Sequence, residues 1–319
     1  MIRAHPPHPR GDSAPHPGAV WLDLLDPNEG EAHMVEALTG LRLPSQDDLR
    51  DIEQSSRLSF QDGVLRLTAP IVAQSETDHP TLAHIGLVMT ERLLVSIRFE
   101  PLRMFEALAG EYAAQQPPTS SQAAFVDLLG AFVARQADLL QEARARLDAI
   151  SHRVFRNASG DPRRATQSNA ALRERLQLLG RIGERISMIR ESLLAVERMV
   201  PFVLDSVRPW FAGELATRLG TARADIEALS LFEEHLSGKV QFLLDAVLGF
   251  INIEQNDIFK VLTIASVVGI FPTLVAGWYG MNFHNMPEYG WAYGYQFGIG
   301  VIVLSTILPL LWFKWRGWL

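Results

Sequence analysis

Apolar and polar positions follow three rhythms along this chain. Val20-Trp21-Leu22-Asp23-Leu24 alternates with period two and reads as a strand, closed by Asp26-Pro27. Further strand signals lie at Val64–Val72 and within His84–Phe99. Short helical patterns fall at Glu29–Leu38 and Leu43–Glu53. From Gln122 onward the period is helical: Gln122–Phe155, then an Arg-rich run from Arg163 to about Val200, with Pro201 and Pro209 marking a break. Leu215, Leu219, Ala222, Ile226, Leu229, Leu236, Val240, Leu243, Val247 and Phe250 recur at intervals that make a packing seam. No loop signal separates this seam from the apolar residues beyond it, so Glu214 to about Tyr279 reads as one helix of 66 residues, roughly 100 Å long at 1.5 Å per residue. The third rhythm is continuous apolarity: Val261–Pro287 and Tyr289–Phe313 are charge-free runs of 27 and 25 residues. About 20 apolar residues cross a bilayer core as a helix, so the two runs read as a membrane hairpin.

Charge sharpens that picture. The 319 residues carry a formal net charge of −7 and a mean hydropathy of +0.07. Only Glu288, Lys314 and Arg316 are charged after Lys260. The average therefore joins a polar body to an apolar tail. Five of seven Trp and four of five Tyr lie in the tail, near the run ends, as in an interfacial belt. Lys260, Lys314 and Arg316 flank the spans while the connecting loop lacks Lys and Arg, which places both flanks in the cytoplasm. There is no Cys, hence no disulfide framework, no thiol nucleophile and no Cys-based zinc site. Net acidity argues against a nucleic-acid partner. The expected organisation is a Pro- and His-rich disordered leader (1–18), a cytosolic α/β domain (19–115), a helical cytosolic region (122–210), a stalk helix (214–260), a first span (261–283), a periplasmic loop (284–290), a second span (291–313) and a basic tail (314–319).

A second stripe on the long helix carries candidate chemistry. Asp245, Asn252, Asn256, Phe259, Ser266, Ile270, Thr273 and Gly277 recur at intervals of 3, 4 or 7, with Leu262 beside them. Polar groups at membrane depth must face protein or water. The pattern alone leaves two readings open, helix–helix hydrogen bonding and the lining of a water-filled pore.

Tyr279-Gly280-Met281-Asn282-Phe283 closes the first span, Met286-Pro287-Glu288 comes next, and Lys314-Trp315-Arg316-Gly317-Trp318-Leu319 ends the chain. Together with Trp21-Leu22-Asp23-Leu24, Asp51-Ile52-Glu53 and Asn252-Ile253-Glu254-Gln255-Asn256, these segments resemble the CorA family of divalent-cation transport proteins over nearly the whole chain after the leader. The resemblance implies an α+β membrane protein assembled as a funnel-shaped homopentamer in the inner membrane, with Mg²⁺ as its substrate, Co²⁺ or Ni²⁺ as passengers, and no cofactor. It assigns Gly280, Met281 and Asn282 to a selectivity filter, the stripe from Asp245 to Gly277 to the pore, and Glu288 to the entrance loop. Three departures stand out. Pro272 lies one position later than the family's common proline, Ser266 replaces a small apolar residue, and Thr221 stands where a stalk acid is expected. The cytosolic acids that would bind regulatory Mg²⁺ are therefore assigned to nearby Asp225 and Glu227, with Glu233 and Glu234 beside them.

Two alternative readings compete with Mg²⁺ transport. The zinc-transporting ZntB branch of the same family would use proton-coupled Zn²⁺ transport; retained Met281 and the lack of Cys favour Mg²⁺. A membrane-anchored scaffold without transport would leave the stripe and filter motif unexplained. Walker A, HExxH and Gly-x-Ser-x-Gly motifs are absent from the sequence, so an enzyme is not expected.

Overall fold

A computed structural model describes residues 1–6, 16, 18–50, 57–74, 80–114, 117–157, 165–281 and 286–318, with 113, 156–157, 165–170, 288 and 289 described by backbone alone. Asp51-Ile52-Glu53 and most of the break after Asn157 lie outside the described residues. Contacts divide the chain into one unit comprising 1–160 and 174–244 and a second comprising 161–173 and 245–319.

The first unit is built on a six-stranded sheet: β1 (Ile2–His5), β2 (Trp21–Leu25), β3 (Leu58–Gln61), β4 (Val64–Ala73), β5 (Thr81–Met89) and β6 (Leu94–Arg98). Their spatial order is β1-β2-β6-β5-β4-β3, and only β2 and β6 run parallel. Among the described residues, two short helices lie between β2 and β3. In α1 (Glu29–Thr39), Asn28 and Glu31 form a reciprocal capping box and Gly40, at φ 70°, ends the helix in the left-handed region. In α2 (Gln46–Leu49), Ser45 and Asp48 repeat the box. Gly86 of β5 admits α2 to the sheet: a Cβ there would lie 2.8 Å from a Leu49 methyl and 3.0 Å from Pro44. Pro70 sits within β4, beyond the end of β3's register at Leu67, where β4 has a strand neighbour on one side only and a missing N–H is tolerated.

Residues 1–18 do not all form the expected disordered leader. Ile2–His5 pairs antiparallel with Trp21–Leu24, burying Ile2 and Ala4 in the core with Leu22, Leu24 and Ile97. The strand is four residues long and leads into a Pro-rich segment, so composition hides it. The expected break at Pro201 is also corrected. After α3 (Arg103–Ala114) and α4 (Ser121–Asn157), α5 runs from Ala165 to Val207 straight through Pro201. One missing N–H bond to the Glu197 carbonyl is outweighed by burial of Met199, Val200 and Val203 around it. The long helix, α6, spans Glu214–Tyr279 without interruption. Its seam is buried at Leu219, Ala222, Ile226, Leu236, Val240, Leu243 and Val247.

A buried polar chain fixes the sheet's centre. Arg98 of β6 grips Asp23 of β2 with Nε at 3.2 Å from Oδ1 and Nη2 at 2.8 Å from Oδ2. Ser96 donates to Asp23 Oδ1 at 2.9 Å and accepts from Trp21 Nε1 at 2.9 Å. Phe105 of α3 lies with its ring 4.5 Å from the guanidinium. Both charged side chains are almost fully buried. Such a pair tolerates joint replacement far better than loss of one partner. We therefore expect Arg98→Met and Asp23→Leu each to destabilise the chain by about 3–5 kcal/mol, and the double variant to cost less than the sum. Thermal unfolding followed by circular dichroism checks this; additive losses would contradict it.

His5 stacks on Trp21 with ring centroids 4.6 Å apart, and its Nε2 is buried without a hydrogen-bond partner. Burial lowers its pKa from 6.5, against an opposing pull from Asp23 and with help from Arg3. The unfolded chain then binds a proton that the folded chain resists. This contribution is fully present above pH 6.5 and is lost as pH falls through and below that value. The melting temperature is expected to fall between about pH 7.5 and 5.5, and His5→Phe should flatten that slope; an unchanged slope would place the effect elsewhere.

Candidate functional site

In the second unit, the C-terminal part of α6 is joined to α7 (Gly294–Trp315) by a short segment containing a 3-10 turn at Pro287–Gly290. Both helices contain strongly apolar windows long enough to cross a membrane. In α6 that window has no buried residue within the chain. A soluble core helix would be the reverse, because exposed apolar area costs roughly 25 cal/mol per Å². Phe259, Leu262, Ile270, Leu274 and Trp278 are all more than half exposed.

The two sides of α6 nevertheless differ. Ile264, Val268, Pro272, Val275 and Tyr279 are half-buried and recur at helical spacing. Asn252, Asn256, Phe259, Leu262, Ser266, Ile270, Thr273 and Gly277 are exposed. At about 100° per residue the two sets centre on opposite sides of the helix. Asp245, at the lower end of the stripe, is exposed as well and on the same side. The structure thus brings the nine stripe residues onto one face of one helix that the rest of the chain leaves open. Helix α7 shows the same asymmetry. Gly294 and Gly298, the GxxxG pair, lie on its half-buried face with Val301, Ile302 and Ser305.

Hydroxyls along these helices satisfy the rule that polar groups in hydrocarbon need partners. Thr273 donates its Oγ1 proton to the Gly269 carbonyl at 2.8 Å, and Thr263 donates to Phe259 at 2.7 Å. The Thr273 proton is committed to its own helix, so its oxygen offers only acceptor capacity outward. At the end of the span, Gly280 N–H donates to the Ala276 carbonyl at 2.9 Å, and a Cβ on Gly280 would come within 3.1 Å of that same oxygen. Met281 is exposed. Asn282 lies outside the described residues, as does His284, and Glu288 is placed by its backbone in the 3-10 turn. At the chain's end Phe313 packs on Trp312 and Trp318, and Arg316 covers the Trp312 ring at 5.5 Å.

The assigned regulatory acids are not brought together. Asp225 and Glu227 are both exposed on α6, and Glu227 accepts from Arg223 at 2.9 Å. Among the described residues no three acidic or imidazole groups converge as a metal site. Glu233 is buried, where it accepts from Ser237 and meets Arg190 at 3.7 Å. One Arg of the Arg-rich run on α5 lies on the buried side of the helix. Arg185 is buried among Ile182, Ile186 and Ile189, a location its place in the apolar period could have revealed.

The model of the family described as CorA-like Mg²⁺ transporter protein matches residues 17–315. The chain belongs to the CorA family. Relatives named magnesium transport protein CorA share 32% identity in Haemophilus influenzae (strain ATCC 51907 / DSM 11121 / KW20 / Rd), covering 94% of this chain and 92% of the relative. The Escherichia coli (strain K12) CorA shares 31%, covering 97% and 94%. The complete CorA magnesium transporter structure from Methanocaldococcus jannaschii superposes with a TM-score of 0.77 at 17% identity, over 97% of this chain and 94% of that one. The full-length CmaX structure gives 0.68 at 17%, over 93% and 88%. These structures show a shared fold: a sheet domain, a mostly helical body and two apolar C-terminal helices. For a CorA family member built this way, the full chain is expected in the membrane fraction and resistant to alkaline extraction. A version ending at Leu244 is expected in the soluble fraction. Recovery of the full chain in the soluble fraction after membrane pelleting would contradict the assignment of α6 and α7 as spans.

Proposed function

We propose that the chain conducts Mg²⁺ into the cytoplasm through a pore lined by one α6 from each of five copies. The observation that carries the reading is the open stripe on α6, opposite the face covered by its own chain. Around a fivefold axis the stripe meets its own copies. Asn252, Asn256, Ser266 and Thr273 then give oxygen-rich rings, while Phe259, Leu262 and Ile270 give apolar constrictions that can close by dewetting. The relatives' name, magnesium transport protein, supports the same substrate.

The chemistry suits a hydrated ion. Mg²⁺ sheds water reluctantly, and its water shell presents hydrogens outward. Groups offering acceptors, such as the Thr273 hydroxyl oxygen, match that shell without stripping it. At the outer mouth, Gly280 carbonyls, Met281 and a ring of Asn282 carboxamides form the filter. Binding through water is weak enough for the ion to leave. Glu288 concentrates cations at the entrance. The chain termini and the large first unit lie in the cytoplasm, in keeping with Lys260, Lys314 and Arg316.

Flux of Mg²⁺ into proteoliposomes tests the proposal. Asn282→Ala is expected to lower uptake by about tenfold or more, the kinetic equivalent of ~1.4 kcal/mol. Thr273→Val should lower it more than Thr273→Ser, which keeps the acceptor. Undiminished flux in Asn282→Ala would remove the filter assignment. Zn²⁺ flux that requires a proton gradient, without Mg²⁺ flux, would replace the proposal by zinc transport. No flux of either ion would leave a membrane anchor.

A further inference from the structure

The two ends of α7 are both aromatic, but only one is charged. At the start, Trp291, Tyr293 and Tyr295 are exposed, and no Lys or Arg stands between Val261 and Phe313. At the other end Trp312, Trp315 and Trp318 are exposed, Trp315 at 83%, and Lys314 and Arg316 lie exposed among them. Lysine and arginine side chains often cap the last carbonyls of a helix. Here backbone donors already do so. Arg316 N–H donates to the Trp312 carbonyl at 3.0 Å, Gly317 N–H to that of Lys314 at 3.1 Å, and Trp318 N–H to that of Phe313 at 3.0 Å, with Gly317 at φ 71° making the turn. Nor are the two cations neutralised. Lys260 is met by Asp257 at 2.8 Å, whereas Lys314 and Arg316 have no acidic partner among the described residues. Glu288, the one acid after Lys260, precedes α7, whose 22 residues span roughly 33 Å. The charged end is also fixed in shape. Arg316 lies over the Trp312 ring at 5.5 Å, and the turn at Gly317 stacks Trp318 on the buried Phe313 with ring centroids 5.5 Å apart.

From this asymmetry we propose that the C-terminal end of α7 is a docking surface for anionic phospholipid, with Arg316 and Lys314 each meeting a headgroup phosphate. Exposed indoles settle at the boundary between hydrocarbon and headgroups, so they set the depth at which the two cations stand. That depth is the level of the lipid phosphates. Aromatic rings alone accept any phospholipid; the cations select for charge. A guanidinium offers phosphate two parallel N–H···O bonds, and an ammonium adds a point charge. Residues two apart on a helix do not face each other, so Lys314 and Arg316 reach separate phosphates rather than clamp one. The attraction is local, because the whole chain at net −7 repels an anionic surface. The proposal rests on α7 as a membrane span but not on which ion passes through the assembly.

Native mass spectrometry of the detergent-solubilised full chain, given phosphatidylglycerol and phosphatidylcholine at equal mole fraction, tests it. Phosphatidylglycerol is expected to be retained in preference. Arg316→Gln and Lys314→Gln should each lower its retention about fivefold, the attraction of one cation to an anionic leaflet, and the double variant should lower it further. Arg316→Lys keeps most of it. Arg92→Gln, the same charge change in the exposed turn between β5 and β6, should leave retention unaltered. Equal retention of the two lipids, or an undiminished preference in the double variant, overturns the proposal. Displacement by glycerol phosphate at matched concentration also overturns it, because the ligand is then a soluble phosphate. Loss of association between copies in the double variant, with lipid preference intact, gives the cations to a neighbouring copy and overturns it too. A full chain that washes out of membranes at alkaline pH removes the span itself, whereas a chain that stays there without lipid preference removes this proposal alone.

Discussion

Backbone polar groups have no partners in hydrocarbon, so a segment that crosses a membrane must satisfy itself. Helix α6 meets this constraint in a single run of 66 residues shared between the two units. Its N-terminal part serves as a packing element of the first unit, with a buried apolar seam. Its apolar C-terminal window buries nothing fully within the chain. A loop anywhere between them would expose free carbonyls and amides.

Several polar contacts hold α6 against the first unit. Arg218 meets Asp127 at 2.5 Å, and Asp127 also accepts from the Tyr112 hydroxyl at 2.7 Å. Ser230 donates to Glu197, Arg190 approaches Glu233, and Lys239 pairs with Asp148, whose carboxyl its hydrogen bond holds below the usual carboxylate range. Individually, exposed pairs contribute about 0–1 kcal/mol. The apolar seam supplies the bulk of the attachment, and the polar pairs fix its register. The sheet behind them is held differently. Asp23 and Arg98 are 75 residues apart in sequence yet meet on neighbouring parallel strands, shielded from water and salt.

The long helix was legible in the sequence because its seam repeats at helical spacing and no proline interrupts it before Pro272. The two spans were legible from charge depletion alone. Strand β1 was not, since four residues carry too little periodicity and their partners lie beyond the Pro-rich stretch. Pro201 misled because a proline rule describes an isolated helix, whereas packing of Val200 and Val203 decides the matter here. Arg185 had no local signal of burial by charge alone. Arg181 and Glu184 are exposed on the same helix, and only the phase of Arg185 against Ile182, Ile186 and Ile189 marks it as buried. The Asp23–Arg98 contact leaves no local pattern at all. For the candidate pore, the shared face was readable by periodicity, but periodicity could not say which side of α6 its own chain covers.

Coverage of one side of α6 bears on the choice between packing and conduction. Small and polar residues on a span serve helix packing when they face the chain's own helices. On α7, Gly294 and Gly298 lie on the half-buried side. On α6 the polar and small residues lie on the open side, and the half-buried side is Ile264, Val268, Val275 and Tyr279 with Pro272 among them. Pro272 cannot donate to the Val268 carbonyl, and both residues lie on the covered side. The helix therefore keeps its irregularity against protein and presents an unbroken ladder beneath the stripe. Thr273, next in sequence but on the open side, closes its hydroxyl onto Gly269 and leaves oxygen acceptors facing outward. An assembly that surrounded this face with lipid would leave Ser266 and the outward acceptor of Thr273 in an apolar phase. Facing its own copies across water costs nothing of that kind.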